Sequence, residues 1–395
     1  MSPVADREGG PVAVVIAGAG ARGAYEAGVL SEVLPRLDEE GVRPSLYVGT
    51  SAGAINATLF AAHAHRPVKE QVDAALEVWR ELTMADVVRP VLQTAPTALG
   101  RLLAQMSHLP GAHPTSLLDT APLRATAQRM GHWDQLRENI DDGTVGLAVV
   151  ATAADGGRTV VFVDRDGGAL PETDQTRAIE YSSVRVDATH VVASAAIPMV
   201  FPPVRVEAPP EQAGWFVDGG MRLNAPLKPA IQLGAKRLVV VATHPVANPP
   251  ELARDAPPPD LDDAMVSFVD VALVDRMVED VRTLAKVNES PGESRSVVPF
   301  LFVGPPRRGT LAAVAARCYD ERAGGPASWW QTLRRPDLAL FDWLIGGDGL
   351  RRGDLLSYIY FDPAFTKAAI ELGQNDARRL LGDGPVPWSP PAPSA

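Results

Sequence analysis

A serine set between glycines, Gly49-Thr50-Ser51-Ala52-Gly53, follows the apolar stretch Leu46-Tyr47-Val48 and leads into a helix-like run from Ala54 to Ala62. At a strand-to-helix turn this tight the neighbours must lack bulk, and the hydroxyl is left exposed at a sheet edge as a nucleophile. The pattern alone is a common chance match, and its company gives it weight. Upstream, Gly18-Ala19-Gly20-Ala21-Arg22-Gly23 comes directly after the apolar run Val12 to Ala17. Backbone N–H groups of such a loop, helped by the positive end of the following helix, can face a developing oxyanion. The same spelling fits a dinucleotide fingerprint, but that reading needs an acidic residue ending the second strand to hold a ribose. Gly49 and the serine turn stand there instead. An ordinary strand-to-helix turn that needs glycine for its backbone angles is the remaining alternative.

A serine hydroxyl needs a base to take its proton, and the chain offers two kinds. Seven histidines are present: His63, His65, His108, His113, His132, His190 and His244. His244 follows the strand ending at Ala242, so Ser51, Asp218 and His244 stand in the chain order of an α/β-hydrolase triad. Asp-Gly-Gly occurs at Asp155, Asp166 and Asp218. The first two lie at hairpin ends and read as turns. Asp218 follows a buried-looking strand and precedes Met221-Arg222-Leu223-Asn224, which is no hairpin return. An exposed aspartate, with a pKa of about 3.9, is a feeble base, and desolvation in an apolar cleft raises it toward a useful value. The residues by themselves leave both bases open.

The elements that must position these groups alternate between strand and helix, the signature of an α/β layered fold. Strands are expected at 12–17 and 46–48, with helices at 23–37, 52–62, 69–82, 97–108 and 116–130, the last capped by Thr115 or Ser116. A hairpin of 145–152 and 158–164 turns at Asp155-Gly156. Asp187 caps a short helix to Ala196, and strands follow at 215–217 and 237–242. The expected organisation is a flexible stretch 1–11, a catalytic domain 12–245 and a proline-rich acidic linker 246–261. A mainly helical region 262–384 follows, opening with an amphipathic helix over 262–287 and holding a strand at 300–303. The proline-rich residues 385–395 read as a disordered tail.

At 395 residues, the chain's net charge of -11 argues against nucleic acid, whose phosphates need a basic face. Tight binding to anionic membranes by global charge is disfavoured too, although a local basic rim would permit peripheral contact. One cysteine, Cys318, excludes an internal disulfide or a multi-cysteine metal site and fits a reducing compartment. No signal peptide is visible in residues 1–10. The best apolar run, Val191 to Val204, is too short to span a bilayer and holds Pro198, Pro202 and Pro203. The expectation is a cytoplasmic protein, at most peripheral to a membrane, of open oligomeric state.

Taken in order, the motifs resemble those of the patatin-like phospholipases. There a strand leads to G-G-G-x-R-G, then a helix, a strand and G-T-S-A-G, with D-G-G far downstream. The stretch Ser194-Ala195-Ala196-Ile197-Pro198-Met199-Val200-Phe201-Pro202-Pro203 matches a further small-residue, proline and aromatic turn. The resemblance covers roughly residues 12–245. Beyond 250 it rests mainly on Tyr358-Ile359-Tyr360-Phe361-Asp362 and on Leu372 to Ala377. It implies a three-layer α/β fold with a central, mostly parallel sheet and helices on both faces. It also implies a Ser–Asp dyad without histidine: Ser51 as nucleophile, Asp218 as base, Gly18, Ala19 and Gly20 as oxyanion donors, Gly49 and Gly53 as elbow glycines. Ala19 stands where the family has glycine; alanine still offers its N–H, so the oxyanion hole survives unless that position needs positive φ. Arg22 would bind a phosphate head group or brace the loop.

The activity implied is hydrolysis of a lipid ester through an acyl-enzyme, with no cofactor. An acyltransferase using the same acyl-enzyme, or a non-catalytic lipid-binding protein, are the other readings. The stripe Leu99, Leu102, Leu103, Met106 and Leu109 would line an acyl groove or pack in the core.

Overall fold

The run Val12–Ile16 (β1) is apolar throughout and buried on both faces, as strands inside parallel sheets are. Its alternate side chains feed two separate cores, Val12, Val14 and Ile16 on one face, Ala13, Val15 and Ala17 on the other. The computed structural model describes residues 10–88, 120–198, 200–246, 274–289, 297–323 and 352–388. After β1 come α1 (Gly23–Glu39), β2 (Leu46–Thr50), α2 (Ala52–Ala62), α3 (Val68–Glu81) and the single turn α4 (Met84–Val87). Helices α5 (Ala121–Met130) and α6 (Trp133–Asp141) precede β3 (Gly146–Ala153), β4 (Thr159–Asp164), β5 (Ile179–Ser183) and α7 (Ala188–Ser194). Then follow β6 (Val204–Val206), β7 (Gly214–Asp218), α8 (Gly220–Leu223), α9 (Leu227–Gln232) and β8 (Arg237–Val241). The last described elements are α10 (Arg276–Glu289), β9 (Phe300–Val303), α11 (Thr310–Ala323), α12 (Arg352–Ile359) and α13 (Pro363–Leu381).

The strands form one sheet in the order β5-β4-β3-β2-β1-β8-β9, with β6 and β7 added off this path. All pairs along the main path are parallel except β3 with β4, the hairpin expected from Asp155-Gly156. Residues of α1, α2, α3 and α13 share one core, those of α9 and α10 the other, so helices cover both faces. The fold is the layered α/β architecture that the sequence implies. Strand β9 extends the same sheet beyond β8, so the region after residue 262 contributes to the central layer as well as to the helices.

Several expectations shift. The helix placed at 116–130 begins at Ala121, where Pro122 is tolerated because the first turn has no intrahelical use for its N–H. Thr120 occupies the cap position, and Thr115 and Ser116 lie outside the described residues. The helix at 97–108 and the stripe from Leu99 to Leu109 lie outside them as well. Asp187 caps α7 through Thr189 and His190, but the helix stops at Ser194. Of the helix expected over 262–287, the described part is α10, which runs two residues further, to Glu289. The end of the chain does not begin its tail at 385. Val386 is buried and donates its N–H to Glu40, while the Arg237 guanidinium stacks on Trp388 at 4.9 Å. Among the described residues no helix is long and apolar enough to cross a membrane.

Candidate active site

Ser51 follows β2 and occupies the N-cap position of α2 with φ 56 and ψ −128, a backbone conformation that an L side chain adopts only when its surroundings hold it there. The flanking glycines make this possible. A Cβ on Gly49 would lie 2.2 Å from the Gly53 carbonyl oxygen, and one on Gly53 would lie 2.3 Å from that of Ile16. Strand, turn and helix therefore touch with no room for a side chain.

Asp218 reaches the same corner from the opposite direction. Strand β3 pairs in parallel with β2 as far as Thr50, opposite Val150. From the next residue onward it pairs antiparallel with β7, Asp218 lying opposite Ala151. The two strands thus meet end to end on one edge of β3, which brings Asp218 beside Ser51. The carboxylate is almost fully buried, accepts the Gly220 N–H at 2.7 Å and lies within hydrogen-bonding reach of the Ser51 hydroxyl. Burial pushes its pKa up to about 6, and the bonds from Ser51 and Gly220 hold it from rising further. A carboxylate so tuned can accept a proton near neutral pH.

The glycine loop divides into two parts. Gly18 is not an available oxyanion donor, which corrects its expected role. Its N–H is taken by Asn224, at 2.9 Å from the side-chain oxygen and 3.1 Å from the carbonyl. The N–H groups of Ala19 and Gly20 have no acceptor among the described residues. Ala19 has φ −143, so the position makes no demand for glycine. Gly20 does, with φ +55, and a Cβ there would lie only 2.3 Å from the Tyr358 carbonyl oxygen.

Arg22 turns away from any ligand. Its Nε donates to Ser357 Oγ at 2.8 Å, its Nη1 meets His244 Nε2 at 2.7 Å, and its Nη2 meets the Asp354 carbonyl and carboxylate at 3.1 and 3.2 Å. The guanidinium also lies 3.9 Å over the Tyr358 ring. Arg22 is therefore placed as a brace: its guanidinium is buried and makes four contacts inside the protein, which counts against the head-group reading. His244, the rival base, faces Arg22 and the Tyr358 hydroxyl (2.6 Å). Burial, with the Arg22 and Arg308 guanidiniums, keeps its pKa well below the ordinary value. His63 contacts the Leu59 carbonyl and His190 contacts Asp187 and Ala208, while His108 and His113 lie outside the described residues. Among the described residues no cluster of His, Cys, Asp and Glu forms a metal site.

A pocket of about 820 Å³, open mouth included, begins at Ser51 and Gly20. Its walls are Ile55, Leu59, Trp79, Leu123, Met130 and Phe201, closed on another side by Tyr358 and Phe361. The two threonines in the wall, Thr58 and Thr126, donate to the carbonyls of Ala54 and Asp86. The pocket thus offers hydrocarbon beside the Ser51 hydroxyl, a lining that suits an aliphatic chain.

A family model, described as patatin-like phospholipase, matches residues 14–231, more than half of the chain. The chain belongs to the patatin-like phospholipase family. At the level of this family it is a lipid acyl ester hydrolase. Two similar solved structures are VipD from Legionella pneumophila and human GIVD cytosolic phospholipase A2 in complex with methyl γ-linolenyl fluorophosphonate. VipD is 13% identical with a TM-score of 0.33, the match covering 92% of this chain and 67% of VipD. The phospholipase A2 is 13% identical with a TM-score of 0.41, the match covering 96% of this chain and 59% of that one. No curated protein matches the chain. Within this patatin-like protein, α12 lies past the matched span yet supplies Ser357 and Tyr358 to the Arg22 brace. No local signal marks those two residues, or Asn224, as partners of the glycine loop.

Proposed function

We propose that the protein is a serine lipid acyl hydrolase of the phospholipase A or lysophospholipase type, working through Ser51 and Asp218. Asp218 takes the Ser51 proton as Oγ attacks the ester carbonyl, and the N–H groups of Ala19 and Gly20 hold the oxyanion. The lipid alcohol leaves with the proton from Asp218, and the acyl chain stays esterified to Ser51. Water, giving its proton to Asp218, then attacks the acyl carbonyl, and that proton passes to Ser51 Oγ as the fatty acid leaves. The observation that carries this reading is the corner itself. A strained serine lies against a desolvated carboxylate at the head of an apolar pocket.

The test combines fluorophosphonate labelling with hydrolysis of a lipid panel by wild type, Ser51→Ala, Asp218→Asn and His244→Ala. The wild type should label at Ser51, and the first two variants should lose hydrolysis. Labelling that persists in Ser51→Ala, or loss in His244→Ala with activity kept in Asp218→Asn, sinks the dyad. Product analysis with glycerol present tells water from an alcohol as the acyl acceptor.

A further inference from the structure

Where β2 and β7 meet end to end on β3, the backbone near the junction needs partners that the strand ladder does not supply. Ser194, at the end of α7 and with no exposed surface, provides them. Its Oγ accepts the Ser51 N–H at 2.8 Å and donates to the Val150 carbonyl at 2.6 Å. Its own carbonyl accepts the Gly219 N–H at 3.3 Å, and two residues on, the Ala196 carbonyl accepts the Asp218 N–H at 2.9 Å. One short segment grips the backbone of both members of the pair.

The geometry points to Ser194 as a positioning residue that holds the strained elbow and sets how Ser51 Oγ meets Asp218. The inference rests on reading Ser51 and Asp218 as the reacting pair. The Ser194 proton is committed to Val150, so the residue acts through Ser51 and takes no part in bond making. Removing its hydroxyl leaves two buried backbone groups, the Ser51 N–H and the Val150 carbonyl, without partners. The elbow then relaxes from φ 56 toward ordinary angles and carries Oγ away from the carboxylate. The pocket walls stay in place, so turnover responds and substrate binding does not. A loosened Ser51 also stops stabilising the Asp218 anion, so the acidic limb of the pH–rate profile moves to higher pH.

The experiment compares wild type with Ser194→Ala, Ser194→Cys and Ser31→Ala, using a p-nitrophenyl acyl ester and a fluorophosphonate probe. Cysteine keeps the shape while weakening both bonds, which keeps the test alive should the alanine variant not fold. Ser31→Ala is the control, since it deletes another buried hydroxyl, one that donates to Gly28 at 2.8 Å. Both Ser194 variants should lose roughly 10- to 100-fold in kcat, the scale of a small misplacement of reacting groups. KM should stay within about twofold, the split expected when only transition-state geometry suffers. Labelling should slow in parallel and the acidic limb should shift upward, while Ser31→Ala changes none of these. A folded Ser194 variant with unchanged kcat and pH profile overturns the inference, as does the same kcat loss in Ser31→Ala. A wild type that neither hydrolyses the ester nor labels at Ser51 overturns the dyad reading and this one together. An active wild type with unaffected Ser194 variants overturns only the role of Ser194.

Discussion

The Ser51–Asp218 corner and the Arg22–His244 cluster lie at the same carboxyl edge of the sheet, and the loop from Gly18 to Arg22 serves both. Gly18 packs against Ser51, a Cβ there lying 3.2 Å from the serine Cβ, while Arg22 reaches back to α12. Both places are buried, yet their chemistry is opposite. Around Arg22 the charge is met by a carboxylate, a hydroxyl, an imidazole and an aromatic face. Around Asp218 there is no cation among the described residues, only an amide and a hydroxyl, so the carboxylate keeps its basicity. Full pairing makes a joint, and incomplete pairing makes a reagent.

The strongest way to break this contrast is Asp218→Asn. Loss of the base should lower turnover by about 10²–10⁴. If Asp218 is a strained reagent, the same variant should also be more stable above pH 6. The native carboxyl holds its proton up to about pH 6, whereas an unfolded one releases it near its ordinary 3.8. Its contribution to stability is present below about pH 4 and is lost as pH rises through 6. Asparagine does not titrate, so the gain at neutral pH should approach about 3 kcal/mol at most, given about 1.4 kcal/mol per unit. Thermal melts at pH 4.5 and 7.5 measure it, and a variant equally destabilised at both would equate the two regions.

Arg22→Met attacks the other side. It removes the ion pair to Asp354, the bonds to Ser357 and His244 and the stack on Tyr358, and the loss of a charged cluster gathered on a buried guanidinium typically costs about 3–5 kcal/mol. Denaturant titration should show that loss, and Arg22→Lys should not repair it because an ammonium lacks the guanidinium fork. A stable Arg22→Met protein with altered head-group preference would restore Arg22 as a ligand-binding residue.

His244→Ala is expected to do less. Removing one neutral partner from Arg22 and Tyr358 should destabilise by about 1–3 kcal/mol. The acidic limb of activity near pH 6 should remain where Asp218 puts it. A limb that vanishes with His244 would make the histidine the base.

The glycine loop, the elbow and Asp218-Gly219-Gly220 could be read from sequence because the backbone there admits few residues, as the 2.2 Å and 2.3 Å approaches at Gly49 and Gly53 show. The choice of base could not be read from the residues alone. Asp218 and His244 each follow a buried strand to one edge, and what separates them is their partners. Those partners are remote: Ser357 meets Arg22 across 335 residues of chain, and Asn224 takes the Gly18 N–H across 206. The glycine spelling indicates that N–H groups lie open without saying which is already used. The pocket escaped for the same reason, since Trp79, Leu123 and Phe201 come from three separated segments.

The finest test of the contrast is Ala19→Gly, which restores the residue that the family pattern has at this position. If the oxyanion donors depend only on an N–H held in place, the exchange should leave kcat within about twofold, since uniform geometry gives uniform rate. Ala19 sits at φ −143, where alanine is unstrained, so glycine brings no relief there. Its effect should come through the unfolded chain, whose added freedom lowers stability by about 0.5–1 kcal/mol. A small fall in melting temperature with unchanged turnover is the expected pair of results. A rise in turnover would mean that the Cβ of Ala19 holds the loop away from its best geometry. The loop would then be tuned by its side chain as well as by the Arg22 brace.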